Sequence, residues 1–113
     1  MDTDHDLNRR AARICGLNVD GDEYARSDKL YCDDGKEWSP TTNPADTAIV
    51  KRAMREKGFL LKTDEFRDLN KPPKTWTNAH YFNNTGARGD ACRESPERAV
   101  TAAAVAAMEG ATT

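Results

Sequence analysis

Trp38-Ser39-Pro40-Thr41-Thr42-Asn43-Pro44-Ala45-Asp46 puts a large aromatic, a stiff connector and a complete helix start side by side. Asn43 has the short acceptor side chain of an N-cap. Pro44 stands at the first helical position, where a missing N–H costs nothing, and Asp46 faces the positive end of the helix dipole. The sequence therefore predicts a helix over residues 44–57, stopped by Gly58. Ala45, Ala48, Ile49, Val50, Ala53 and Met54 supply a broad apolar stripe for it, and Lys51, Arg52, Arg55, Glu56 and Lys57 its wet side.

Working outward toward the C-terminus, the apolar run Phe59-Leu60-Leu61-Lys62-Thr63 follows a glycine-terminated helix and reads as a strand. Lys71-Pro72-Pro73-Lys74 cannot continue a ladder, so residues 65–74 read as a surface loop. Trp76, Asn78, His80 and Phe82 alternate with Thr77, Ala79 and Tyr81, the period of an antiparallel strand. Residues 83–89 supply a turn and residues 90–93 a returning strand. Ser95, Pro96 and Glu97 open a last helix over residues 96–108, with Val100, Ala103, Ala104 and Ala107 inward. Toward the N-terminus, Thr3-x-x-Asp6 caps a helix over residues 4–16 with Leu7, Ala11, Ile14 and Cys15 on one stripe. Residues 17–37 carry acidic turn-like clusters around one short strand at 29–32. A single α+β domain over residues 1–113 is expected: a short, mostly antiparallel sheet of about four strands, packed with three helices in a sandwich.

Composition narrows the function classes. The chain has 113 residues, 37% hydrophobic and 32% charged, enough for one thin core. Its 17 basic and 19 acidic residues leave a formal charge of −2, which removes the usual footprint of a general nucleic-acid binder. The charge is uneven: residues 1–47 hold 11 acidic against 6 basic side chains, and residues 48–113 hold 8 against 11. No apolar run of about 18 residues is present, and the acidic start MDTDHD is unlike a signal peptide, so a soluble cytoplasmic protein is expected. Cys15, Cys32 and Cys92 are odd in number and lack a CxxC pair, which argues for thiols rather than disulfides or structural zinc. Asp20-Gly21-Asp22-Glu23 lacks the glycine position and the twelfth-position glutamate of a calcium loop. With no P-loop, GxGxxG, HExxH or GxSxG, the sequence predicts no enzyme, no cofactor and no metal.

The order of helix, WSP-type connector, charged helix, Gly-Phe strand, tryptophan strand and Ala-rich helix resembles the phage alpha-beta-alpha sandwich family. Leu7–Gly16, Trp38–Ala48, Met54–Phe59, Trp76–Phe82 and Ser95–Gly110 carry the resemblance, and Trp38-Ser39-Pro40 is its most specific piece. It implies a small phage or prophage protein of unknown function, with no catalytic residues to transfer. By size and genome context such proteins include inhibitors of host defence, CRISPR interference among them.

Two surfaces stand out as candidate sites. Asp20, Asp22, Asp33, Asp34 and Glu37 form an acidic set beside Trp38, suited to contact a nucleic-acid-binding host defence protein as a phosphate mimic. Alternatively, Lys74, Trp76, Tyr81 and Arg88 would line a pocket that sequesters a small signalling nucleotide. A third expectation is weak nucleic-acid binding by Lys51, Arg52, Arg55 and Lys57. His80 has Asp90 or Glu94 as hairpin partners, and a strand edge at residues 76–82 would allow a homodimer.

Overall fold

Asn43 caps the central helix as its type and position require, its Oδ1 accepting the Ala45 N–H at 3.0 Å. The computed structural model describes residues 3–21, 30–32, 34–70 and 73–111, with 20, 21, 110 and 111 described by backbone alone. The elements in order are α1 (Asp4–Ile14), β1 (Val19–Gly21), β2 (Leu30–Cys32), β3 (Glu37–Trp38), α2 (Pro44–Glu56), β4 (Leu60–Asp68), β5 (Lys74–Phe82), β6 (Arg88–Arg93) and α3 (Pro96–Ala111). The three predicted helices are present and the class is α+β. The expected single sheet is instead two three-stranded antiparallel sheets, β1-β2-β3 and β4-β5-β6.

The connector before α2 ties all three helices together. Trp38 is buried, and its Nε1–H donates to the Asn8 carbonyl of α1 at 2.7 Å. Asn8 Oδ1 accepts the Thr41 N–H at 3.1 Å. The Pro40 carbonyl accepts from Thr47 Oγ1 of α2 at 2.6 Å and from Thr101 Oγ1 of α3 at 3.0 Å. Ser39 N–H donates to Asp46 Oδ2 at 2.9 Å. Four of these five bonds are buried, where a polar group left without a partner costs about 1–3 kcal/mol.

These bonds also fix the rotation of α2, and they overturn part of its predicted stripe. With Thr47 turned inward, the buried residues are Thr47, Val50 and Met54. Ala45, Ala48 and Ile49 face solvent instead, Ile49 at 44% exposure. The helix ends as expected: Gly58 takes φ 91°, its N–H reaches the Arg55 carbonyl, and the Phe59 N–H reaches Met54, a pairing that brings two buried apolar side chains together.

α3 lies against the inner face of β5 and β6, and α1 and α2 pack on α3. Ala99, Val100, Ala102, Ala103, Ala104, Val105 and Ala107 are all buried, so this helix is core on most of its circumference. Its methyl-sized side chains let β6 come close at Gly89, where a Cβ would overlap the Ala107 N and Ala103 O of the helix backbone. Gly89 therefore belongs to the strand rather than to the predicted turn. β4 likewise runs on through residues expected as loop, pairing with β5 from Leu60↔Phe82 to Asp68↔Lys74. Its polar residues hide the strand period because most of them stay exposed.

Candidate functional site

Alternation along β5 sends its side chains to two different environments. Thr77, Ala79 and Tyr81 point toward the helices and are buried. Trp76, Asn78, His80 and Phe82 point away and are half-buried or exposed. The ladder extends this outer face sideways in rows, because directly paired residues share a face. Leu60, Phe82 and Arg88 form the first row; Lys62, His80 and Asp90 the second; Asp64, Asn78 and Cys92 the third; Phe66 and Trp76 the fourth.

The face is apolar at both ends and charged in its middle. Leu60 is 60% exposed, Phe66 46% and Phe82 42%, and Trp76 is half-buried beside Phe66. In the middle, Asp90 Oδ1 lies 2.6 Å from His80 Nδ1, and Oδ2 lies 3.1 Å from Arg88 Nη2. The hydrogen bond from His80, aided by Arg88, holds the Asp90 carboxyl below the usual carboxylate range. At the far end Lys74 Nζ meets Glu94 Oε1 at 3.1 Å. Lys62, Lys74 and Arg88 are thus outnumbered by Asp64, Asp68, Asp90 and Glu94, so the face offers a phosphate chain no net attraction.

His80 and Asp90 are each about two-fifths exposed, and among the described residues no hydroxyl or thiol hydrogen-bonds to His80. Cys15, Cys32 and Cys92 are half-buried thiols. Burial pushes the Cys15 thiol up to about 11, which leaves it protonated and unreactive at neutral pH. Among the described residues no group of three His, Cys, Asp or Glu side chains converges as a metal site would require. No described helix is long and apolar enough to cross a membrane.

The candidate residues from the sequence fall differently. Trp38 is 2% exposed and bonded to α1, so it is a core anchor and cannot be an exposed hot spot. Asp22 and Asp33 lie outside the described residues, and Asp20 is placed only by its backbone in β1. Asp34 and Glu37 are exposed, and Asp34 Oδ1 accepts the Lys36 N–H at 3.0 Å, a turn role. Lys74, Trp76, Tyr81 and Arg88 do not form one pocket. Tyr81 is buried on the opposite side of the sheet, and its hydroxyl has no partner among the described residues. Trp76 and Arg88 stand at opposite ends, about 20 Å apart at the rise of a strand. Lys51, Arg52, Arg55 and Lys57 are exposed on and after α2. β5 is the middle strand of its sheet, so the expected edge-to-edge pairing through residues 76–82 is closed.

Asp90 is the His80 partner, one of the two expected. Leu60, Lys62 and Phe66 were missed as site residues; Phe66 fell in a stretch read as loop. The signal was the period-two spacing Leu60, Lys62, Asp64, Phe66, which matches Phe82, His80, Asn78, Trp76 in reverse. No family model, characterised protein or solved structure matches the chain.

Proposed function

We propose that this chain is a non-catalytic binding protein that works by protein–protein contact through the outer face of β4, β5 and β6. The observation that carries the proposal is the exposure of Leu60, Phe66 and Phe82, beside half-buried Trp76, on one sheet face whose cations are all matched by carboxylates. Large apolar side chains with a paired polar middle suit a protein surface better than a phosphate. The separation of Lys74 and Trp76 from Arg88, and the burial of Tyr81, weigh against the nucleotide-sponge reading.

The motif order supports placing the chain among small phage proteins of the alpha-beta-alpha sandwich type, although its helices stack on a single face of β4-β5-β6 and leave the other face bare. On that reading it acts in the host cytoplasm against a defence protein such as a CRISPR component. The test is plating of a targeted phage on a CRISPR-competent host that expresses the protein. Wild type is expected to restore plaques, Ile49→Asp to restore them equally, and Phe66→Asp to fail. Plaques restored equally by Phe66→Asp, or not restored by wild type, would overturn the reading.

A further inference from the structure

We infer that the outer face of β4, β5 and β6 is built to meet a second copy of itself. The inference rests on the reading of that face as a protein-contact surface, and names a second copy as what covers it until a host partner displaces that copy. A two-fold axis lying in the interface at right angles to the strands sets β4 on β4, β5 on β5 and β6 on β6, each running antiparallel to its twin. If the axis passes between the second and third rows, row one meets row four and row two meets row three.

Every match this operation makes is favourable or neutral. Leu60 meets Phe66, and Phe82 meets Trp76, so the apolar ends cover one another. Lys62 meets Asp64 twice, once on each side of the axis. His80 meets Asn78 and Asp90 meets Cys92. Arg88, whose side chain is 75% exposed, comes to the end where Glu94 stands. The other in-plane axis, parallel to the strands, would set Leu60 on Arg88 and Phe66 near Glu94, which pairs apolar groups with charges. Self-matching of one patch is what an isologous dimer demands.

The geometry is that of aligned sheet packing, with faces about 10 Å apart and strands inclined by about 30°. Three strands and four rows cover roughly 400 Å² of plane per copy, from a strand spacing of about 4.8 Å and a rise of about 3.3 Å per residue. This lies at the small end for specific interfaces, so the dimer is expected to be reversible, with a Kd on the order of 10–100 μM. The helices and the first sheet remain outward.

Sedimentation velocity over about 10 μM to 500 μM tests the inference. Wild type is expected to shift from monomer to dimer across that range. Lys62→Asp alone and Asp64→Lys alone each set like charges face to face, and each is expected to weaken the dimer by about tenfold or more. An equimolar mixture of the two variants is expected to form a heterodimer at wild-type strength, because every cross-axis contact then pairs aspartate with lysine. Phe66→Asp is expected to stay monomeric. All these positions are exposed, and circular dichroism checks that the fold is kept. Wild type that remains monomeric throughout overturns the inference, as does a mixture no tighter than its components or a dimer indifferent to Phe66→Asp. Restored plaques with a monomeric wild type would leave the contact face standing and remove only the second copy from it.

Discussion

Trp38 shows at the level of one residue how chemistry decides between two uses of the same side chain. A tryptophan in a proline-stiffened connector suits a partner hot spot, but its indole N–H has a buried acceptor in the Asn8 carbonyl. Once that bond is made the ring belongs to the core, packed opposite Leu30 of β2. Trp38→Phe keeps an aromatic ring yet loses the indole N–H bond to the Asn8 carbonyl and leaves a void. It is expected to cost about 2–3 kcal/mol in urea unfolding, with no change in self-association. A loss under about 0.5 kcal/mol would show that the bond to α1 does not hold the connector. His80 and Asp90 show the converse. Spacing across the hairpin made Asp90 a candidate partner, and the pairing is there, because strand register is set by local alternation that the sequence states openly.

At the level of elements, the helices were legible because their ends are chemically explicit. Thr3, Asn43 and the glycines at 16 and 58 satisfy backbone groups that must be satisfied somewhere. The rotation of α2 was not legible. It follows from Thr47 and Asp46 bonding to Pro40 and Ser39, contacts made between elements, and the apolar stripe of Ala45, Ala48 and Ile49 gave no warning of them. The first half of β4 was read as a strand, but its continuation to Asp68 escaped recognition for a related reason: Asp64, Glu65 and Arg67 are exposed, so only backbone pairing with β5 reveals it. Gly89 marks where β6 crosses α3 at backbone contact. Gly89→Ala forces strand and helix apart and is expected to destabilise by about 2–3 kcal/mol in denaturant unfolding, whereas Gly86→Ala should act only through its positive φ of 89°. Equal and small losses at both positions would contradict the close packing of β6 on α3.

On the scale of the whole molecule, the core is used up on one side of the second sheet. Leu7, Ala11, Val50, Met54, Phe59, Tyr81 and the alanines of α3 form one cluster behind it, and the front is left with four large apolar side chains around a network of paired charges. The ion pairs Arg98–Asp4 at 2.8 Å and Arg10–Glu109 at 3.2 Å join α1 to α3, so the acidic first half and the basic second half are stitched together rather than held apart. The charge split read from the sequence is therefore a weaker guide to partners than the exposed sheet face. Side-chain oxidation footprinting at about 5 μM and about 500 μM examines that face directly, since solvent access is what contact removes. Phe66, Trp76 and Phe82 are expected to be protected at the higher concentration while Ile49 and Leu69 stay equally reactive. Protection confined to Ile49, or none at any residue, would contradict self-association through this face.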